Sequence, residues 1–349
     1  MGGKIMKLAL KEIKKNKAKF VILGSIVFLV SLLTFMISGL ANGLSQDNAA
    51  LVIDLPEGQF YMSDDADQTL NMSRINEKSQ QQVLDEQEDA VALSIQMGFV
   101  NDAADKQHGV AFVTSTESPY FENVKAGEVV LDKSLQDKGI QLGDVLTNNQ
   151  FSGELKVVGF VDLKKFSHSP VAYINIENFK EIYRVNELQL LYVPNGDDTA
   201  QYAGLEGFSN KQFLNTISSY KAEQLSLNMI VWFLVVISGM LFAIFFYMMN
   251  VQKIGLYGIL KAIGLKTSNL FVLIWTQMIV ITSIALIISI TLSQLFNSFA
   301  PSGMPFTLTF ATTLQLSGVF LVIGFIGSTL SGVQIKNIEP LQAIQQGEA

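Results

Sequence analysis

The 349-residue sequence contains no cysteine and only two histidines, His108 and His168. The absence of cysteine excludes disulfides, thiol catalysis and cysteine-based zinc sites. No H-x-x-x-H or H-E-x-x-H spacing places two histidines on one helix face, so a histidine-based metal centre is not predicted. We therefore expect a protein that is not an enzyme and that has neither a metal site nor a catalytic residue of its own.

Two further patterns are weak candidates for chemistry. The carboxylate pairs Asp64–Asp65 and Asp197–Asp198 lie in turn-like stretches, where solvated loops are the better interpretation. The glycine-lysine segment at 258–266, GILKAIGLK, is similar to a P-loop, but its spacing is one residue too long and no strand precedes it. We conclude that ATP is not bound by this chain.

Charged residues are missing from three long stretches. They are absent from the 27 residues between Lys19 and Asp47, from the 29 between Glu223 and Lys253, and from the 69 between Lys266 and Lys336. A membrane-spanning helix needs about 20 apolar residues. The longest stretch is divided by the turn signal PSGMP at 301–305. Four transmembrane helices are therefore predicted, at 20–43, 226–250, 269–298 and 311–334, with an outer loop at 299–310 and a cytoplasmic tail at 335–349.

Lysines predict the orientation of these helices. Residues 1–19 hold seven lysines and one glutamate, and residues 251–268 hold three lysines and no acid. The positive-inside rule puts both segments in the cytoplasm. Residues 44–225, with 28 acidic and 13 basic residues, then lie outside. The predicted fold is an α-helical, multi-pass protein of a bacterial plasma membrane, with four transmembrane helices and a large extracytoplasmic α+β domain between helices 1 and 2.

Two segments of the membrane region carry expectations about packing. Residues 1–19 have the pattern of a cytoplasmic interfacial helix whose Ile5, Leu8, Ala9 and Ile13 face lipid. In the first span, Gly39-xxx-Gly43 is a GxxxG motif, which permits close approach of a second helix. A dimer interface is one interpretation of this motif, and the other is that it reflects only the general frequency of glycine in spanning helices.

The outer segment alternates short strands with short helices. Strands are predicted where Val, Phe and Tyr lie between turn residues, and helices where the apolar residues recur at helical spacing. The predicted strands are 92–100, 110–114, 128–131, 154–161 and 188–193. The predicted helices are 75–88, 177–184 and 210–223, the last continuing directly into the second membrane span.

The loop NVQKIGLYGILKAIGLKT at 250–267 has the most distinctive pattern in the chain. Its apolar residues recur at near-helical spacing, which predicts an amphipathic helix whose apolar face needs a partner. The wording GILKAIG resembles the coupling segment in permeases of the MacB/LolC/FtsX type of ABC transporter, although Gln252 and Lys253 stand where an acidic residue is usual. That resemblance implies docking on a separate ATPase through Lys253, Gly255, Gly258, Ile259, Lys261, Ala262 and Gly264.

A closer resemblance covers both ends of the chain and all four spans. The segments KLALKEI, SGLANGL, SSYKAEQLSLNM, QKIGLYGILKAIGLKT and MPF are similar to the permeases of haem-regulated efflux pumps in Gram-positive bacteria. This implies haem as the transported ligand, since His, Met and Tyr ligate haem iron and polar groups receive propionates. The candidate haem-binding residues are Met36, Asp47, His168, Tyr220, Glu223, Gln224 and Met229.

The expected partners follow from these resemblances and from the charge-free spans. Proton- or sodium-coupled carriers keep ionisable groups inside the membrane, so the energy is expected from a cytoplasmic ABC ATPase in two copies, which binds the ATP. Four helices enclose little space, so a homodimer surrounded by membrane lipid is expected, with no nucleic acid and no cofactor of its own. Two alternatives stay open: mechanotransmission to an extracytoplasmic enzyme, as in FtsX-like permeases, and efflux and sensing of antimicrobial peptides or antibiotics.

Overall fold

The computed structural model describes residues 2–196, 200–300 and 304–336. The Asp197–Asp198 pair and the tail from residue 337 onwards therefore lie outside the described residues. The chain divides into two compact units. One, the membrane unit, comprises Met1–Gly43 and Ser226–Ala349, and the other, the outer unit, comprises Leu44–Leu225.

The described residues form nine α-helices and ten strands. The helices are α1 (Gly2–Lys15), α2 (Lys17–Ile53), α3 (Glu77–Glu86), α4 (Ile176–Tyr183), α5 (Asn210–Leu214), α6 (Ser218–Val251), α7 (Ile254–Ala262), α8 (Thr267–Phe299) and α9 (Phe310–Lys336). The strands are β1 (Gly58–Ser63), β2 (Val91–Asn101), β3 (Gln107–Ser115), β4 (Glu128–Asp132), β5 (Val145–Asn148), β6 (Phe151–Val161), β7 (Lys165–Phe166), β8 (Ser169–Ile174), β9 (Leu190–Pro194) and β10 (Leu205–Ser209).

Four of the helices, α2, α6, α8 and α9, are long and apolar enough to cross a membrane. Inside a bilayer only a helix or a closed barrel satisfies every backbone polar group, so long uncharged segments must be helical. The predicted fold class, four spanning helices with an α+β domain between the first two, is confirmed. Helices α2 and α6 are longer than the spans predicted within them, and both continue into the residues of the outer unit.

Small polar side chains join the helices of the membrane unit. Ser31 of α2 and Ser289 of α8 are fully buried and their hydroxyl oxygens lie 2.7 Å apart. The indole nitrogen of Trp275 on α8 donates to the hydroxyl of Thr329 on α9 at 2.9 Å. Hydroxyl and indole groups can satisfy one another where no water is available, so uncharged residues hold these helices in register.

The glycine pair of the first span packs within its own chain. A side chain at Gly39 would meet the Phe306 ring at 2.4 Å, and one at Gly43 would meet the Pro305 backbone at 2.2 Å. The Thr307 amide also donates to the Gly39 carbonyl at 2.9 Å. The GxxxG motif thus provides the close approach of the segment before α9, and this contact leaves no room for the motif to serve as a dimer seam.

The N-terminal helix packs on protein, which corrects the expectation that all four apolar residues face lipid. Ile5 and Ala9 are buried against Leu273 of α8, and Ile13 packs partly against the main cluster of the membrane unit. Only Leu8 is exposed, at 38%. Ala9 at the contact permits close approach of two helices, which explains why α1 packs on α8 instead of facing lipid at the membrane surface.

The outer unit is built on a ten-stranded mixed sheet. Its strands follow the order β10-β1-β9-β2-β3-β8-β4-β6-β5, and β7 pairs with β8. The pairs β3–β8 and β4–β6 are parallel. A further pairing of Asn101 with Thr147 joins β2 to β5, so six of the strands form a closed ring.

Both faces of the sheet are buried along β8, β9 and most of β3. On β3, Val110 and Phe112 belong to one apolar cluster, and Ala111 and Val113 belong to another. Successive side chains of a strand point to opposite faces, so this alternation between two clusters means that each face has its own core. Burial on both faces explains why residues 110–114 form a near-continuous apolar run, whereas β5 and much of β6 alternate between buried and exposed residues.

The predicted elements of the outer unit are present, with one correction. The helix predicted at 210–223 is interrupted: α5 ends at Leu214, and α6 begins only at Ser218. The amides of Asn215, Thr216 and Ile217 each bond to a carbonyl three residues back, a tighter turn than an α-helix makes. The continuous helix that enters the second span therefore starts at Ser218. Strands β1, β5, β7, β8 and β10 were not predicted.

The predicted orientation is testable because the chain has no native cysteine. Ser152 on β6 and Ser268 at the start of α8 are both exposed, so replacing either by cysteine should leave the fold intact. We expect Ser152→Cys to react with a membrane-impermeant maleimide in intact cells, and Ser268→Cys to react only after the membrane is opened. Labelling of Ser268→Cys in intact cells would contradict the orientation.

Candidate functional site

The predicted coupling segment folds as the short helix α7, held between two long helices. It ends in a Schellman motif, in which the Leu265 amide donates to the Leu260 carbonyl at 2.9 Å and the Gly264 amide to the Lys261 carbonyl at 3.0 Å. This motif needs a left-handed residue, and Gly264 supplies it with φ of +91°. Gly264 is therefore required to end α7 and to turn the chain into α8.

One face of α7 is apolar and exposed. Leu256 is 46% exposed, Ile259 is 50% exposed, and Ile263, just after the helix, is 74% exposed. Their spacing of three and four residues puts them on the same side of a helix. Ala262 and Gly264 are also exposed, whereas Tyr257 and Gly258 are buried against the membrane unit. We call Leu256, Ile259 and Ile263 the apolar face of α7.

Lys253 does not belong to this exposed face, which differs from the direct part in docking that the resemblance implies for it. Its side chain is only 10% exposed, and its ammonium lies 2.5 Å from the Glu12 carboxylate of α1. The same ammonium stands 5.3 Å from the centre of the Phe20 ring. Glu12 also accepts a hydrogen bond from Gln277 of α8 at 2.7 Å. Lys253 thus anchors the loop to α1 and, through Glu12, to α8.

Burial dominates the electrostatics of this anchor. Desolvation lowers the pKa of Lys253, and the hydrogen bond and charge of Glu12 act against that shift. Next to it, the Tyr257 hydroxyl donates to the Asn250 amide oxygen at 3.1 Å, and the Asn250 amide donates to Ser331 of α9 at 3.2 Å. Burial raises the pKa of Tyr257, so this hydroxyl stays protonated and keeps donating. The first part of the loop, from Asn250 to Tyr257, is therefore fixed by buried polar contacts.

A second polar cluster lies in the outer unit and contains three of the candidate haem-binding residues. The His168 ring lies between two carboxylates, with Nδ1 3.1 Å from Asp47 and Nε2 2.7 Å from Glu223. Lys165 pairs with the other oxygen of Asp47. Asn48, fully buried, donates to Glu223 at 3.1 Å. Because both ring nitrogens are engaged, His168 can ligate iron only by giving up one of these contacts.

His168 lies in a tight hairpin turn, which positions its side chain in this cluster. Ser167 and His168 link β7 to β8 with φ of +50° and +64°, the pattern of a two-residue type I′ turn. The Ser167 amide donates to the Asn48 carbonyl at 2.6 Å, and the next residue of α2, Ala49, leaves helical geometry. The hairpin therefore caps α2 at the point where its helix bends.

The remaining candidates are dispersed. Tyr220 accepts a hydrogen bond from Ser45 at 3.3 Å, and Gln224 is one turn further along α6. Met36 and Met229 belong to the membrane unit, where Met36 packs partly against the cluster around Phe35 and Met229 is 56% exposed. The second histidine, His108, bonds to Asp102 at 2.9 Å, which lowers the pKa of that carboxyl. It takes no part in the cluster around His168.

Several residues of both clusters were missed from the sequence. Glu12 and Gln277 lie 241 and 24 positions from Lys253, and Lys165 and Asn48 are separated from Glu223 by 58 and 175 positions. Such pairings depend on tertiary contacts that no local pattern records. One signal was available: Glu12 is the single acid among seven N-terminal lysines, and a lone carboxylate in a basic, membrane-adjacent helix is a candidate for an internal ion pair.

Comparison with known proteins gives matches along the whole chain. The family described as FtsX-like permease C-terminal matches residues 228–340. The putative hemin transport system permease protein HrtB of Staphylococcus haemolyticus (strain JCSC1435) is 30% identical over 355 residues, covering 97% of this chain and 99% of that protein. The protein of the same description from Staphylococcus epidermidis (strain ATCC 35984) is 27% identical over 356 residues, covering 98% and 100%.

Among solved structures, the periplasmic region of MacB from Actinobacillus actinomycetemcomitans matches with a TM-score of 0.35 and 13% identity. The match covers 46% of this chain and 92% of that one. A likeness at this score is too distant to define the fold of the outer unit.

The Glu12–Lys253 anchor generates a stability prediction. Replacing Lys253 by methionine leaves a buried carboxylate without its cation, which should cost about 3–5 kcal/mol of unfolding free energy. The double variant Glu12→Gln/Lys253→Met should recover most of that loss. Thermal unfolding in detergent measures both, with Lys266→Met, an exposed lysine of the same loop, as the control. If the double variant is as unstable as the single one, the two residues do not act as a pair.

Proposed function

The chain belongs to the FtsX-like permease family, and we propose that it is the membrane subunit of an ATP-driven pump that expels haem from the bacterial plasma membrane. Family membership makes it an ABC permease, a multi-pass membrane protein and a transport subunit rather than a catalytic enzyme. The proposal that haem is the cargo rests on the similarity of this chain, over 97% of its length, to a protein described as a hemin transport permease.

The energy source is a separate cytoplasmic ABC ATPase, present in two copies and docked on the apolar face of α7. Three exposed apolar side chains at helical spacing favour a protein partner, because exposed apolar surface in water is otherwise unfavourable. The loop also carries three lysines and no acid, which fits a cytoplasmic position. Lys261 and the exposed Lys266 would meet the rim of the partner, and Lys253 would hold the loop to α1.

Haem suits such a pump because it is flat, amphipathic and dissolves in membranes. A homodimer that opens sideways at the outer leaflet would then need no aqueous channel. The candidate residues divide by role in this proposal. Met229, which is 56% exposed, is the proposed axial ligand from the membrane unit, and Met36 of the same unit is a second candidate thioether. Asp47, His168, Tyr220, Glu223 and Gln224 are the candidate polar groups of the outer unit, and Lys165, paired with Asp47, is the cation available to a propionate.

The proposed docking of the ATPase can be tested at one exposed side chain. Replacing Ile259 by glutamate puts a charge in the centre of the apolar face without touching the core, since the side chain is 50% exposed. Loss of a central interface contact typically costs about 2 kcal/mol or more, so we expect co-purification of the ATPase to weaken by about thirtyfold.

The matched control for this variant is Ser268→Glu, which adds the same charge at an exposed position just outside the face. It should leave co-purification and haem-stimulated ATP hydrolysis unchanged. Equal retention of the ATPase by both variants would show that α7 is not the docking element.

Haem binding is testable by its absorption spectrum. Adding haem to the purified protein should shift the Soret band, and Met229→Leu, Asp47→Asn and Glu223→Gln should each weaken that shift. Met240→Leu is the matched control, because Met240 is also exposed on α6 but is 11 positions away from Met229. If haem neither shifts the Soret band nor changes the rate of ATP hydrolysis, the result would instead support mechanotransmission to an extracytoplasmic enzyme.

A further inference from the structure

An apolar groove of about 630 Å³ runs along the surface of the membrane unit. Helix α2 provides one wall with Phe20, Val21, Gly24 and Phe28, and α8 provides the other with residues including Ile281 and Ile288. The groove exists because Gly24 has no side chain, so the wall of α2 is recessed at that point. It spans two turns of α2, or about 12 Å along the helix axis.

One end of the groove is cationic. Lys14 of α1 and Lys17 at the start of α2 line this end, together with Leu10 and Ile13. Both lysines are exposed, and among the described residues neither lies within 4.0 Å of a carboxylate. The groove therefore has two positive charges at one end and apolar side chains along the rest, with Ser25 as the single further polar lining residue, which is the complement of an anionic amphiphile.

We propose that this groove is a binding site for an anionic phospholipid of the cytoplasmic leaflet. The phosphate would lie between Lys14 and Lys17, and an acyl chain would fill the space beside Gly24. The proposal rests on the separation of a cationic end from an apolar wall, since each basic residue near a membrane attracts anionic lipid by about 1 kcal/mol. The assignment of the site to the cytoplasmic leaflet depends on the orientation proposed above. The choice of an anionic phospholipid does not depend on it.

The lining also argues against haem as the occupant. None of the groove residues is His, Met, Tyr or Cys, so nothing there can ligate iron. A phospholipid needs no ligand and only the two features that the groove offers, a cationic end and an apolar wall.

The site lies next to the anchor of the coupling loop. Ile13 and Lys14 of the groove directly follow Glu12, which binds Lys253 and Gln277. A bound lipid would bridge α1, α2 and α8, and two of these helices, α1 and α8, provide the Glu12 and Gln277 that hold the loop that carries α7. Binding of lipid should therefore support coupling to the ATPase, but it does not depend on haem as cargo.

Native mass spectrometry of the purified full-length protein tests the proposal. Dioleoylphosphatidylglycerol and dioleoylphosphatidylcholine have the same chains and differ in head-group charge, so we expect the protein to retain the first and not the second. Lys14→Gln/Lys17→Gln should weaken retention of phosphatidylglycerol by about 25-fold, or fivefold for each lysine. Gly24→Leu should abolish it, and the helix should tolerate the change because a Cβ there meets only Ile281 at an ordinary 3.5 Å.

The matched control is Lys7→Gln/Lys11→Gln, which removes two exposed lysines of the same helix that do not line the groove. This control should retain phosphatidylglycerol at the wild-type level. Equal loss in both double variants would show only a general effect of charge and would overturn the site. Equal retention of both lipids, or displacement of phosphatidylglycerol by haem, would overturn the assignment of the occupant. A change of oligomeric state in Gly24→Leu with lipid retention intact would assign the groove to a second copy.

Discussion

The scarcity of water inside a bilayer is the constraint on which the rest of this structure depends. A charge placed at mid-membrane is costly, and an unpaired backbone group costs several kcal/mol. The chain meets both conditions with long helices whose membrane-crossing stretches carry no charged residue. Charged side chains are thereby restricted to α1, the ends of the spanning helices, the loops and the outer unit. The sites of interest, the α1–α7 anchor and the cluster around His168, lie in those places.

The Glu12–Lys253 pair shows how this restriction supports function. A buried ion pair is poor evidence of added stability, because desolvation of both partners offsets much of their attraction. With Gln277, the pair fixes the loop against α1 and α8, so in the proposed docking a force applied to the apolar face of α7 would reach both helices. A loop held only by apolar contacts could slide without a defined register. The Schellman motif at Gly264 and the Tyr257–Asn250–Ser331 chain fix the orientation of α7 further.

Much of the fold was predictable because its signals are local. A 29-residue gap between Glu223 and Lys253 is enough to predict a span, and the Val- and Phe-rich run at 110–114 is enough to predict a strand. The break at 215–217 was not predictable, because the apolar spacing continues through it and only a tight turn interrupts the helix. Strand β1 was missed as a short segment whose pairing with β9 and β10 is non-local.

The sites were less predictable than the fold, for the same physical reason. Chemistry identified Asp47, His168 and Glu223 as candidates, but their meeting at one imidazole depends on a hairpin turn and a bend at Ala49. Lys253 was expected to face a partner because it is a lysine in a lysine-rich loop, and the structure turns it inward to Glu12. Its charge predicted that Lys253 lies outside the spans, but the direction of its side chain is decided by its tertiary partner.

The central claim, that ATP hydrolysis by a partner drives haem out of the membrane, has one direct test. Proteoliposomes containing this permease and its ATPase, with the ATPase outside and apomyoglobin enclosed, are loaded with haem in the bilayer. The account predicts that ATP speeds the formation of enclosed holomyoglobin and that a non-hydrolysable analogue does not. Equal rates with ATP and the analogue, in a complex that still hydrolyses ATP, would contradict it.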